Sequence, residues 1–280
     1  MIISQPGIYP DVSNEDYHKS AGISSSGLSA LLECPKNYWY KYLSGQYEAP
    51  DNKNFAMGTA VHTLSLEPET FGERFFITKI PRKRTKSFEA AMLEISKLAN
   101  DRELISPKDY QTALDMASAL SSHKFFKSIG NGCIEHSLAW IDEESGALLR
   151  SRPDFYNDNF VVDVKTSRDV SPSEFARSMF KFGYHRQAAM ACDGLTKLTG
   201  REYSSVILFV VSKEPPHLVK SYLIGAESLE IGRKQYKDGA FVYQECLVLN
   251  NWPGYPEIVE DLEIPKWAIQ EYNYRSLLDD

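Results

Sequence analysis

The chain is short of positive charge, of paired cysteines and of long apolar runs, and each shortage excludes something. Lysine and arginine number 31 against 38 acidic residues, a formal net charge of −7. A uniformly basic surface that coats nucleic acid is therefore excluded, although positive charge gathered in one cleft is not. The four cysteines, Cys34, Cys133, Cys192 and Cys246, include no C-x-x-C pair, so the usual zinc spacings are missing and the thiols read as core residues. No apolar run approaches the ~20 residues of a membrane span. The opening Met1-Ile2-Ile3-Ser4-Gln5-Pro6 lacks the charged-then-apolar pattern of a signal peptide, and the expected location is cytoplasmic. No internal repeat, low-complexity tract or glycine-rich phosphate loop is visible, which removes solenoids and common nucleotide-binding loops.

What remains is a chain of 280 residues with 42% hydrophobic and 12% aromatic content, enough to bury a large core in a single α/β (α+β) domain. Residues 1–22 carry turn formers at Pro6-Gly7, Pro10-Asp11 and Ala21-Gly22 and read as an extended arm. A mainly helical part, 23–130, follows. Ser24 offers an N-cap ahead of Leu28, Leu31 and Leu32, Pro35 opens a second, aromatic helix that includes Tyr38 and Tyr42, and Phe55–Leu64 forms a third. A strand is expected at 75–77, then helices at 87–99 and from Pro107 to about Phe126. Between them lies the densest basic run, Lys79, Arg82, Lys83, Arg84 and Lys86, which reads either as a solvated loop or as a DNA contact.

From Cys133 the pattern turns to strands. Ile134–Trp140, Ala147–Phe155 and Phe160–Lys165 alternate or run apolar with turns between them, predicting an antiparallel meander. Two helices, about 172–180 and 184–193, precede the wholly apolar Val206–Val211, suited to a doubly covered strand, with 218–224 pairing against it. The segment 226–280 supplies a long helix and a proline-rich tail. This tail, Trp252–Pro256 with Trp267, is expected to strap onto the surface or a neighbouring subunit.

The chemistry gathers in Arg152-Pro153-Asp154 and Asp163-Val164-Lys165. Period-two counting puts Asp163 and Lys165 on one face of their strand and Val162 and Val164 on the other. Two carboxylates with a lysine two residues on suit a divalent-metal hydrolytic site. Asp154, Asp163 and the Val164 carbonyl would give hard oxygen ligands, and Lys165 a cation for the transition state. Glu135 is a further carboxylate able to face the same cleft. The bland reading of 163–165 is an ion pair on an exposed strand, and a second copy of the spacing, Asp51-Asn52-Lys53, lies in a polar loop. His62, among small and apolar neighbours, reads either as a core histidine or as a ligand. Tyr184 and Gln187, three apart, share a helix face.

Taken together, Gly58-Thr59-Ala60-Val61-His62, Pro153-Asp154, Asp163-Val164-Lys165 and Tyr184-His185-Arg186-Gln187 resemble the PD-(D/E)XK nucleases of the RecB-like branch. With Asn14-Glu15-Asp16-Tyr17-His18, Gly22-Ile23-Ser24 and Thr166 added, the chain is most similar to the RecE-type exonucleases, the exodeoxyribonuclease VIII family. The resemblance runs from about residue 7 to Trp267. It implies a restriction-endonuclease-like core, a mixed central sheet flanked by helices, with an N-terminal helical elaboration. It also implies a Mg²⁺-dependent enzyme, with Mn²⁺ as a possible substitute, that degrades one strand of linear duplex DNA from the 5′ end. The 3′ overhang would go to a single-strand annealing recombinase, and the enzyme would form a ring-shaped homo-oligomer of phage or prophage origin in a bacterial cytoplasm. His62, Asp154 and Asp163 then take the place of metal ligands, Lys165 of the catalytic lysine, and Tyr184 and Gln187 of a pair that holds substrate or orients the lysine. Arg152 and Arg186 join the basic run as candidate DNA contacts. The cysteine cluster of the iron–sulphur relatives is missing, so no such cluster is expected. A structure-selective endonuclease and an inactive DNA-binding scaffold on the same fold stand as alternatives.

Overall fold

The computed structural model describes residues 1–47, 53–79, 81, 88–266 and 269–270, and only the backbone of residues 53–56. From the N-terminus, β1 (Gly7–Tyr9) and α1 (Asn14–Lys19) lead into α2 (Ser25–Glu33), α3 (Pro35–Tyr38) with a π-helical turn at Trp39–Leu43, and α4 (Lys53–Leu66). Then come a 3-10 turn at Pro68–Thr70, α5 (Phe71–Arg74), β2 (Phe75–Ile77), α6 (Phe88–Ala99), β3 (Glu103–Ile105), α7 (Pro107–Ser122) and α8 (Lys124–Lys127). The strand-rich part holds β4 (Cys133–Ile134), β5 (Ser137–Ile141), β6 (Leu148–Ser151), β7 (Phe155–Tyr156) and β8 (Val161–Ser167). Last are α9 (Pro172–Phe182), α10 (Tyr184–Thr199), β9 (Val206–Ser212), β10 (Val219–Leu223) and α11 (Ala226–Leu249).

The central sheet has the order β10-β9-β8-β7-β4, with β8 and β9 parallel and the other neighbours antiparallel. This is the mixed sheet expected. β9 is buried along its whole length because both of its faces are covered. Val206, Leu208 and Val210 join the core with α10 and α11, while Ile207, Phe209 and Val211 join the one with α4 and α7. On β8, Val162 and Val164 enter the second of these cores, as the alternation requires. Asp163 and Lys165 are thereby left on the opposite face.

The expected three-strand meander is corrected by the structure. Ile134–Trp140 is two strands, β4 and β5, and its partner is likewise split into β6 and β7; the halves belong to different sheets. Pairing holds at Ile134↔Phe155 and again at Leu138↔Ser151, and between them the ladder turns a corner. Two local causes coincide there. Glu135 adopts a left-handed backbone, φ 55, and Pro153 has no N–H to give to a ladder. One bond still crosses the corner, from the Glu135 N–H to the Asp154 carbonyl at 3.1 Å. β5 pairs with β6 on one side and with β1 on the other, so residues 1–22 enter the fold as a strand and a helix. Ile3, Val12 and Tyr17 are buried there. The β2–β3 pair includes a strand, β3, that the sequence reading did not foresee.

Two glycines place the helices that face β8. Gly183, φ 70, ends α9 in the left-handed conformation and lets α10 begin at the next residue. Gly232 of α11 lies against α10 so closely that a Cβ would sit 2.5 Å from the His185 carbonyl oxygen. α10 is thus held by its neighbour at the turn carrying its first side chains. Tyr38 packs in the core against Tyr42, Tyr243 and Trp252. The start of the tail straps onto α3, where the Lys36 N–H donates to the Pro253 carbonyl at 3.1 Å. Trp267 lies outside the described residues.

Candidate functional site

The corner between the two sheets brings distant parts of the chain together. Asp154 follows Pro153 on one side of it, Glu135 sits on the other, and α4 lays His62 across both. His62 Nδ1 is 3.1 Å from Glu135 Oε1, and Nε2 is hydrogen-bonded to Asp154 Oδ2. One ligand atom from each of the three lies within 4.8 Å of the others, a grouping able to hold a metal ion. The Val164 N–H donates to the same Asp154 oxygen at 2.5 Å, which ties the corner to β8. Toward the cluster, Val164 presents this N–H.

Beside this cluster, on β8, Lys165 Nζ stands 2.5 Å from Asp163 Oδ2, and Gln187 Nε2 donates to Asp163 Oδ1 at 2.9 Å. Asp163 Oδ2 is buried and, although ion-paired, has no hydrogen bond of good alignment. The ammonium also lies over the Tyr184 ring, 4.8 Å from its centroid, at a distance suited to a cation–π contact. Tyr184 and Gln187 thus share a helix face and cover this pair, and with Pro153 and Asp163 they line one recess. An ion pair walled in this way, with a lysine side chain only 17% exposed, is not the loose surface pair of the bland reading.

The charges of these groups are set by one another. Burial opposes the protonated form of His62, but the Asp154 and Glu135 carboxylates outweigh it and raise the imidazole to about 10. Burial also opposes the charge on Asp154, yet His62 and Lys165 pull its carboxyl below the usual range. For Asp163, burial and then repulsion from Asp154 dominate over Lys165 and raise the carboxyl to about 6. Lys165 is buried as well, and the two aspartates hold its ammonium protonated above the normal lysine range. Five ionisable side chains, His62, Glu135, Asp154, Asp163 and Lys165, are thus packed side by side.

The donor set fits a divalent cation. Carboxylate oxygens suit Mg²⁺ and Mn²⁺, and an imidazole nitrogen makes Mn²⁺ a good match. If one ring nitrogen of His62 ligates, the other N–H still has a carboxylate within reach, the arrangement that fixes a histidine's tautomer at metal sites. Binding has to displace the His62 proton. Metal affinity is therefore expected to rise about tenfold per pH unit between pH 7 and 9, where the raised imidazole is still mostly protonated. Calorimetry in buffers of different ionisation enthalpy would show about one proton released; no release would contradict the role of His62.

The other expected contacts divide. Arg152 is partly buried over the Tyr17 ring, 4.1 Å from its centroid, and donates to Ser137 Oγ, Asn14 Oδ1 and the Val12 carbonyl. It pins α1 to the corner. Arg186 is buried and donates to the Ser25 carbonyl and Ser29 Oγ of α2, which braces two helices. Arg82, Lys83, Arg84 and Lys86, and the second spacing at Asp51, lie outside the described residues. A residue of the site that sequence patterning alone leaves unmarked is Phe175, buried and stacked on Tyr184 at 6.0 Å; its place four residues before Met179, on one face of the amphipathic α9, is the available signal. Among the described residues no helix is long and apolar enough to cross a membrane.

The chain is similar to several known proteins. Over 93% of its length it superposes on a crystal structure from Eubacterium rectale, described as a proposed exonuclease, with a TM-score of 0.59, 15% identity and 98% of that chain covered. Identity so low speaks for the fold alone. A second structure, SSO0001, covers 63% of this chain and 84% of its own at 16% identity, but its TM-score of 0.28 carries no weight. No curated protein matches. Residues 24–264 match the model of a PDDEXK-like domain of unknown function, DUF3799. That span takes in every residue of the cluster able to hold a metal and of the lysine pair, on the restriction-endonuclease-like fold just described, and the chain belongs to this PDDEXK-like family.

Proposed function

We propose that this protein is a metal-dependent exodeoxyribonuclease that resects linear duplex DNA. The observation that carries the reading is one juxtaposition: the His62, Glu135 and Asp154 cluster next to a buried Lys165–Asp163 pair at 2.5 Å. Phosphodiester hydrolysis asks for charge stabilisation at the phosphate and an activated water, and bound Mg²⁺ or Mn²⁺ supplies both. His62, Glu135 and Asp154 would hold the ion, with Asp163 as the carboxylate between it and the lysine. Lys165 keeps its proton and offers a fixed positive charge where negative charge develops on the phosphate. Gln187 fixes one oxygen of Asp163, leaving the other toward Lys165, and Tyr184 limits how the ammonium can move.

The finer reading rests on the resemblance to RecE-type exonucleases: attack from the 5′ end, a 3′ overhang passed to an annealing recombinase, and a ring of subunits around the DNA. A ring also reconciles DNA binding with a net charge of −7, since several subunits would gather their local positive charge around one duplex. The test is digestion of end-labelled linear duplex beside a covalently closed circle, with Mg²⁺. Loss of the 5′-labelled strand from linear DNA, with the circle intact, is expected. Nicking of the circle would favour a structure-selective endonuclease, and no cleavage of either an inactive DNA-binding scaffold.

A further inference from the structure

Four aromatic rings form a ladder that runs from the half-buried Tyr222 on β10 through the buried Phe175 to Tyr184, beside Lys165, and ends at the surface on Phe182. Tyr222 stacks on Phe175 with centroids 5.5 Å apart and planes within 8°. Phe175 stacks on Tyr184 at 6.0 Å and 27°. Tyr184 in turn meets Phe182 at 5.7 Å and 31°. The inner rungs are fixed: Phe175 is 3% exposed, and the Tyr222 hydroxyl donates to the Val170 carbonyl at 2.5 Å. The outer rung is not covered. Phe182 is 57% exposed and Phe180, two residues earlier, 67%, although a phenylalanine gains most from burial. Phe180 rests on His185 and Phe182 on Tyr184, which leaves the outer face of the Phe182 ring, at the end of the ladder, for a partner.

The surroundings say which partner. Lys181, between the two phenylalanines, is exposed and holds its ammonium 5.6 Å from the Phe182 ring. The ladder also reaches the site in one step, since the Tyr184 ring beneath Phe182 is the one that lies 4.8 Å from Lys165 Nζ. A flat apolar ligand bearing negative charge, arriving where a phosphodiester would be cut, matches all three features. An unpaired nucleotide has that chemistry: its base extends a stack of rings, and its phosphate meets a cation.

We infer that Phe182 is a stacking site for an unpaired nucleobase of the DNA substrate, with Lys181 taking an adjoining phosphate; the inference rests on the proposed nuclease reading. The site gives the enzyme a hold on a DNA end whose terminal pair has opened, or on the strand that survives cleavage. It contacts any base by its face and so is indifferent to sequence.

The test uses fluorescence anisotropy of labelled tailed duplexes, in the absence of divalent metal, with wild type, Phe182→Ala and Phe182→Trp. Each protein is measured with a normal tail and with a tail whose junction-proximal nucleotides are abasic. Stacking of one base contributes a factor of about ten or more in affinity. Wild type and Phe182→Trp are expected to bind the normal tail about tenfold more tightly than the abasic one, and Phe182→Ala to bind both equally weakly. Because Phe182 is exposed, thermal unfolding of the alanine variant should stay near that of wild type. Equal preference for the normal tail in wild type and Phe182→Ala overturns the inference while leaving the nuclease reading intact. So does a change in oligomeric state in Phe182→Ala with both DNAs affected alike, which would make the patch a contact between copies. If wild type binds none of these DNAs and, once Mg²⁺ is added, cuts none of them, the nuclease reading itself fails and the inference with it.

Discussion

Asp154→Asn is expected to lower the rate of metal-dependent DNA hydrolysis by about 10³-fold or more while leaving the fold in place. The substitution keeps the shape of the side chain and removes its charge. Asp154 is the point at which the two halves of the site are joined: its Oδ2 is bonded to His62 and accepts the Val164 N–H, and its main-chain carbonyl accepts the Glu135 N–H. An asparagine oxygen can still take the Val164 N–H, so the corner should survive. Without the carboxylate, however, His62 loses the strongest source of its raised pKa among its neighbours. The cation loses a charged ligand. Both consequences can be read separately: metal affinity by calorimetry, and turnover on linear duplex at saturating metal. Tight metal binding with undiminished turnover in Asp154→Asn would mean that Asp154 only holds the corner together.

Lys165→Met should lower turnover by about 10²- to 10³-fold without weakening the metal site. Methionine keeps an unbranched stem under the Tyr184 ring and removes the ammonium, so packing and charge are separated. The two aspartates hold that ammonium protonated, and a group so reluctant to lose its proton is placed to stabilise negative charge, not to act as a base. Removing it leaves Asp163, already raised to about 6, without its cation. The carboxyl should move further up, so the variant's residual activity is expected to fall at acidic pH sooner than that of wild type. Lys165→Arg should not restore the rate, because a planar guanidinium does not reproduce a compact point charge in a buried pair. Turnover of Lys165→Met within a few fold of wild type would remove the lysine from the chemistry.

Much of the site could be read from the sequence because it lies on regular elements. β8 alternates, so Asp163 and Lys165 had to share a face, and α10 places Tyr184 and Gln187 one turn apart; the structure brings both pairs together. The corner could not be read in this way. Ile134–Trp140 alternates whether it is one strand or two meeting at an angle, since period-two patterning records only which face each residue takes. The bend at Glu135 depends on a positive φ at a residue that does not advertise one, unlike glycine or asparagine. Glu135 therefore looked like an ordinary strand position and became the residue facing His62 Nδ1. For His62, its small and apolar neighbours fit either a core or a cleft, and only the packing of α4 across the corner decides. Arg186 was singled out for its charge alone. One residue from Gln187 on a helix is about 100° away, enough to aim it at α2.

The most direct measurement of the central claim is an anomalous difference map from crystals of this protein grown with Mn²⁺. The account predicts a peak within about 2.5 Å of side-chain atoms contributed by His62, Asp154 and their neighbouring carboxylates, with Lys165 still paired to Asp163 beside it. A peak bound elsewhere in the molecule, or none at a manganese concentration that supports DNA cleavage, would contradict it.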